Sequence, residues 1–467
     1  MKHVSFDHLQ IADEEPIVES FITGEVDAMH LGRGNYPNLS PGGLSAMRVN
    51  YEPYGYDESV ANSFELAQLN FMRAVARAIK GGANGEHPNN NTWDRIAQMS
   101  EELYGSPKKE ICAALLRNIL SSKPLDETRG KILDELQNGF WVGTTNGESF
   151  VDGLDLEVRH DEEIIELPRL APETIEWLQE SMRTMLEPAQ EIVKQYWAER
   201  IMSKEKGNRK ASAQDILEIF TRLSEAYREN GMIDFAVMMD EDSSILAWSR
   251  EINGVKVGGK RSPVANQGEM LGVFTHEVLV HGLRWYNAKQ DKLPEIFSEG
   301  YYSVDESGVL VNWEVFEEGL ATVLQKAVRG KGIEWDMSQS DLYIIASLIA
   351  QGRDERSVYE IVCRLRQYAT NKELTDETQR EIADHTTRSM LRMRRGMSEL
   401  SSAVNTYNLS YVHGRFSAID YLNLIAAMPE PRRSELWADL FLAKIDNSDS
   451  TQARELAEAR MSAKEIE

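Results

Sequence analysis

Two imidazoles and a carboxylate lie within one hexad, His276-Glu277-Val278-Leu279-Val280-His281, inside a run apolar enough to form a buried helix. Neutral imidazole is the commonest zinc ligand, and a glutamate beside the first histidine can act as general base toward a water that a metal activates. The familiar zinc-peptidase helix carries its histidines at i and i+4, stacked on one face. Here the spacing is i, i+5, which on an ideal helix sets the side chains about 140° apart. A one-residue widening, an i→i+5 or π-type turn, returns them to one side. The sequence therefore asks for a distorted helix around a metal, or for two histidines used only in packing.

Further carboxylates follow downstream. Glu314, Glu317 and Glu318 stand within Trp313-Glu314-Val315-Phe316-Glu317-Glu318-Gly319-Leu320-Ala321, at the start of another apolar-periodic segment. Two histidines and a glutamate from a following helix complete a three-ligand catalytic zinc site, with the fourth position left for water. Spacing alone leaves open which glutamate that is.

The elements that must position these groups alternate between helical and strand periods. Apolar residues recur at helical steps over Ser63–Lys80, Trp93–Tyr104, Pro107–Leu120 and Pro172–Met202. Ser212 caps a further helix that runs to Asn230 and stops at Gly231. Phe150–Leu167 alternates weakly and includes a strand, and Lys204–Lys210 is a polar loop. The period then changes: Phe235–Asp240, Ile245–Ile252 and Val255–Lys260 read as short strands, with Asn253-Gly254 as a hairpin turn. The histidine helix starts near Ala265. Helices follow at Glu318, Asp341–Ala350, Arg356–Tyr368, Thr375–Arg395, Tyr407–Leu424 and Arg433–Ile445, the last leading to a polar end. A small sheet beside a histidine-bearing helix suits a peptidase, because an edge strand can hold an extended peptide. The expected organisation is an irregular arm over residues 1–60, one integrated unit over 61–428 and a charged tail over 429–467. Within the unit, 61–230 is the helical part and 231–428 carries the sheet and the metal site.

Composition narrows the function. The 467 residues are 42% hydrophobic, enough core for one large or two ordinary domains. The formal charge of −25 argues against nucleic acid or an anionic membrane surface as partner. Cys112 and Cys363 form no C-x-x-C pair, which fits a reducing compartment and excludes a thiolate zinc site. The start of the chain lacks the apolar core of a signal peptide, and the longest apolar run, Leu342–Ala350, is too short to span a bilayer. These features predict a cytoplasmic protein, and leave its oligomeric state open.

Several stretches together resemble the zinc metallopeptidases that include bacterial proteins known by a QEGLA motif and the microtubule-associated tyrosine carboxypeptidases of animals. His276-Glu277-Val278-Leu279-Val280-His281-Gly282-Leu283-Arg284 is similar to the family's H-E-x-x-x-H-x-L-R, and Glu317-Glu318-Gly319-Leu320-Ala321 to its E-E-G-L-A. Lesser matches are Leu103-Tyr104-Gly105-Ser106-Pro107, Arg392-Met393-Arg394-Arg395-Gly396 and Tyr411-Val412-His413-Gly414, in the family's order and over roughly residues 30–425. The resemblance implies an α+β, mainly helical fold with a zincin-like metallopeptidase core, the small sheet lying beside the H-E-x-x-x-H helix. It implies one Zn2+ held by His276, His281 and Glu318, with Glu277 as general base, and makes the i, i+5 spacing a family device.

The expected reaction is metal-assisted hydrolysis of an amide at a peptide or protein carboxyl end. Tyr411 is a candidate donor to the oxyanion, and Arg392 and Arg395 are candidates for holding the substrate's terminal carboxylate. The acidic tubulin tail cut by the animal proteins does not carry over, because a chain at −25 repels it. Two other readings are a regulatory protein that keeps the metal for structure, and a metal-dependent amidohydrolase acting on a small molecule. A structural site would be expected to close its fourth position with Cys or His, and no cysteine lies near the hexad, which favours catalysis.

Overall fold

The computed structural model describes residues 167–202, 210–294, 296–304, 310–329, 337–350, 355–370, 375–394 and 409–465, with Ile111 and Leu115. The arm and the elements expected before Leu167 lie outside the described residues, apart from Ile111 and Leu115. The protein is mainly helical with a small three-stranded sheet, an α+β fold. It forms two compact units: Met1–Leu167 with Glu306–Leu310 and Trp335–Leu409, and Pro168–Asp305 with Val311–Glu334 and Ser410–Glu467.

The second unit opens with α1 (Pro172–Tyr196), whose first-turn proline carries a φ already suited to a helix. Leu178, Met182, Leu186, Ala189 and Val193 recur every three or four residues and form its buried stripe. A π-helical turn, Trp197–Ile201, ends it. Helix α2 (Ala213–Glu229) begins at a capping box: Asp215 N donates to Ser212 Oγ, and Ser212 N donates to Asp215 Oδ2 at 2.8 Å. It ends as Gly231 takes a positive φ of 67°. Tyr227 Oη donates to Met185 O and ties α2 to α1.

Strands β1 (Ala236–Asp240), β2 (Leu246–Ser249) and β3 (Gly254–Gly258) lie in the order β1-β3-β2. β2 and β3 form the expected antiparallel hairpin, and β1 runs parallel to β3. The turn differs from the Asn253-Gly254 reading. Its loop is residues 250–253, closed by Asn253 N donating to Arg250 O at 3.2 Å, and Asn253 alone takes the left-handed conformation, φ 46°. Gly254 already belongs to β3, where an added Cβ would lie 2.0 Å from Ala236 O. The glycine therefore serves the close approach of β1 and not the turn.

Asn266 caps α3 (Gln267–Phe274) by accepting from Glu269 N at 2.9 Å. Phe274 packs edge-on to Phe220 and beside Tyr227, which joins this helix to α2. The chain then widens into a π-helix over Thr275–Gly282 and returns to α geometry in α4 (Leu283–Gln290). A short α5 (Ile296–Glu299) leads to a two-stranded ladder of β4 (Tyr302–Val304) and β5 (Leu310–Asn312), strands of three residues each and too short to show a period in the sequence. Helix α6 (Trp313–Val328) follows, buried from Phe316 to Leu324.

The first unit contributes α7 (Met337–Ala350), α8 (Glu355–Thr370) and α9 (Asp376–Arg394), which pack on one another. Asp341 on α7 is fully buried, where Arg366 of α8 and Ser389 of α9 hold it. Burial nevertheless pushes its carboxyl up, against the pull of Arg366.

The second unit is completed by α10 (Ser410–Ala427), α11 (Arg432–Asp439) and α12 (Ser450–Glu465). The helix expected over Arg433–Ile445 stops at Asp439. Lys444 N donates to Phe297 O and Tyr301 N to Lys444 O, both at 2.8 Å, so the backbone here bonds to α5 and its exit instead of to a helical turn. Leu440, Ala443 and Ile445 are fully buried.

Helices α6 and α10 cross at two glycines. A Cβ on Gly319 would lie 1.9 Å from the Gly414 carbonyl carbon, and one on Gly414 would lie 1.8 Å from Val315 O. Both obstacles are backbone, so a methyl group can be accommodated only by parting the helices. Gly319→Ala is expected to destabilise the protein by about 3 kcal/mol, the upper end of overpacking costs. Chemical denaturation of the variant beside the parent checks this.

Candidate metal centre

The π-helix answers the spacing problem of the hexad. Widening the helix by one residue turns His276 and His281 toward each other, with ring centroids 4.9 Å apart. Gly282 follows because the indole of Trp248, from β2, lies against it; a Cβ there would meet Trp248 Cζ3 at 2.6 Å. Helix α6 brings Glu318 to the pair, 3.6 Å from His276 Nε2 and 3.8 Å from His281 Nε2, both measured from Oε2. One ligand atom from each of the three lies within 4.8 Å of the others. A tetrahedral zinc holds neighbouring N and O ligands about 3.3 Å apart. The donor set and the two carboxylate separations fit such an ion after a few tenths of an ångström of closure.

The outer nitrogens are held as metal-binding imidazoles require. His276 Nδ1 lies 3.0 Å from Gln325 Oε1, and His281 Nδ1 lies 2.6 Å from Glu317 Oε1. Each acceptor can take the Nδ1–H, which in the neutral imidazole makes Nε2 the lone-pair nitrogen on the side of the cluster. Glu317 and Glu318 are adjacent, and one helical step sends them to opposite sides of the same imidazole. Glu314 lies one turn earlier and outside the three-residue cluster.

Glu317 is itself clamped. Lys444 Nζ donates to Oε1 at 2.5 Å and Arg284 Nη1 to Oε2 at 3.1 Å, all three side chains being buried. Burial pushes the Glu317 carboxyl up, but Lys444, Arg284 and His281 outweigh it and hold the group well below the usual carboxylate range. Arg284 also donates to Ala443 O, Ile445 O and Asn447 Oδ1, and Lys444 lies 4.8 Å from the centroid of the Trp313 ring. The segment from Ala443 to Asn447 is thereby fastened to the carboxylate that holds His281.

Glu277 sits beside the cluster, its Oε1 4.0 Å from His276 Nε2. Its other oxygen accepts from Trp248 N at 2.9 Å, on the outer edge of β2. Side-chain exposures of 15% for His276, 14% for His281 and 13% for Glu277 leave the cluster shielded but reachable by a small group. Burial disfavours a charged His276, yet Glu318 and Glu277 hold its pKa up to about 9. A metal must then displace a proton below that pH. Zinc affinity is expected to fall about tenfold for each pH unit between 8 and 6, read by chelator competition; a flat profile would show that His276 is already neutral.

The other candidates come from later elements of the chain. Tyr411 and His413 are partly buried in the first turn of α10, just before the Gly414 crossing with α6. Arg392 is exposed on α9 of the first unit, and Arg395 lies outside the described residues. No described helix is long and apolar enough to cross a membrane. Comparison with known protein families, curated proteins and solved structures gave no match. The resemblance therefore rests on the motifs alone.

Sequence reasoning missed Lys444, Gln325, Trp248 and the role of Glu317. Two signals were present: a lone lysine in the apolar run Leu440-Phe441-Leu442-Ala443-Lys444-Ile445, and an arginine directly after Gly282-Leu283. A cation in an apolar run announces a buried partner.

Proposed function

We propose that the protein is a zinc metallopeptidase of carboxypeptidase type, with a zincin-like core. The observation that carries this is the convergence of His276, His281 and Glu318 on one point with Glu277 beside them. His276, His281 and Glu318 would hold one Zn2+, which, when bound, polarises the scissile carbonyl and makes water a nucleophile at neutral pH. Glu277 takes the proton that the attacking water loses and passes it to the departing amine nitrogen. Its second oxygen stays bonded to Trp248 N, so the carboxylate keeps its position while the other oxygen moves the proton. Glu317 and Gln325 fix the imidazoles by their Nδ1 atoms. Tyr411, three residues before the glycine that packs on Gly319 beside Glu318, would donate to the carbonyl oxygen as it gains charge.

Offering a mixed peptide pool to the zinc-loaded protein and reading it by mass spectrometry tests this. Shortening from the carboxyl end supports the reading; a pool left unchanged at stoichiometric enzyme contradicts it.

A further inference from the structure

An arginine lies along the edge of β2 from Glu277, and none of the chemistry above uses it. Arg261 follows β3 in a tight turn, its N donating to Gly258 O at 3.1 Å, and Gly258 N donates to Ile245 O at 2.7 Å. The turn thus places Arg261 beside the start of β2, while Glu277 is anchored at Trp248 N, further along the same strand. β2 is an outer strand of the sheet, so its free side runs from the one group to the other.

The side chain of Arg261 is partly buried, and its Nε is shielded from solvent without a hydrogen-bond acceptor. Among the described residues it has no hydrogen-bond or ion-pair partner. Burial pulls its pKa down and the field of Glu277 pushes it back up, which is consistent with a guanidinium near the proposed base. Leaving a cation half-buried and unpaired is costly unless something of opposite charge completes it. The neighbouring cations are satisfied otherwise: Lys260 pairs with Asp242 and Lys256 with Glu251.

We infer that Arg261 binds the free terminal carboxylate of an extended substrate lying along β2, and so makes the enzyme an exopeptidase. The inference rests on the carboxypeptidase reading and names the residue that recognises the substrate's end. A planar guanidinium offers a carboxylate two parallel N–H donors, a geometry that a peptide amide cannot match. From Trp248 back to Ile245 is three strand residues, about 10 Å at 3.3 Å per residue. The reach of the arginine stem shortens that span, so one or two residues fit between the cleaved bond and the bound carboxylate. Those one or two residues are the product released.

Binding is measured apart from cleavage. Zinc-loaded Glu277→Gln protein is immobilised and offered matched pools of N-acetylated tripeptides ending in a free acid or an amide, with retention read by mass spectrometry. The acids are expected to be retained at least tenfold over the amides. Adding Arg261→Gln lowers the acids to the amide level, and Arg261→Lys falls between; circular dichroism and zinc content confirm that each variant is folded and loaded. Equal retention of acids and amides, or full retention by Arg261→Gln, overturns the inference. So does retention of amides bearing an acidic side chain as strongly as free acids, which would make Arg261 a side-chain reader. Arg261-dependent retention without cleavage by the parent would remove the peptidase reading and leave the carboxylate site standing. Cleavage of acids and amides alike, unaffected by Arg261→Gln, would do the reverse.

Discussion

Glu317→Ala is expected to destabilise the protein by about 3–5 kcal/mol, because it strands two buried cations. Arg284 and Lys444 are 0% and 3% exposed, and Glu317 is the carboxylate that both of them touch. Burial lowers the pKa of each, and the Glu317 carboxylate is the largest influence raising it again. Lys444→Met should cost less, since Arg284 and the Nδ1–H of His281 still satisfy the carboxylate. The ordering of these variants in urea unfolding is the check; equal and small losses would show that the cluster contributes little. Glu317→Ala should also weaken zinc binding by about 10- to 100-fold, as the His281 ring loses the group that orients it.

Glu277→Gln is expected to lower kcat/KM by about two to four orders of magnitude while leaving zinc content unchanged. Glutamine keeps the shape of glutamate, and its side-chain carbonyl can still accept from Trp248 N, so the edge of β2 and the π-helix stay in place. What the variant loses is a group that can take up a proton. Rates on the shortened peptides and metal content of the same preparations measure both halves. Undiminished cleavage would assign the proton transfer to another residue.

Local chemistry explains why parts of this protein are readable in its sequence. The i, i+5 histidines can meet only on a widened helix, and the chain is π-helical over Thr275–Gly282. Ser212 and Gly231 bracket α2, and the change to a period of two announced β1 to β3. Each signal is carried by neighbours in the chain. The clamp on Glu317 is carried by residues 33 and 127 positions away, and no periodicity encodes such a meeting. The same limit applies to Gly254 and Gly319. Turn chemistry and helix propensity say nothing of an opposing backbone, which is what fixes both positions as glycine. Lys444 falls at the end of the charged helix that the sequence suggests over Arg433–Ile445, whereas its surroundings in space are Trp313, Glu317 and Arg284.

The most direct test of the account is the zinc content of the purified protein beside a His281→Ala variant, both dialysed against zinc and then against buffer. One zinc per chain in the parent, and its loss from a variant whose circular dichroism is unchanged, is the predicted result. A parent that retains no zinc, or a variant that retains as much as the parent, would return His276 and His281 to packing and remove the basis for the hydrolase.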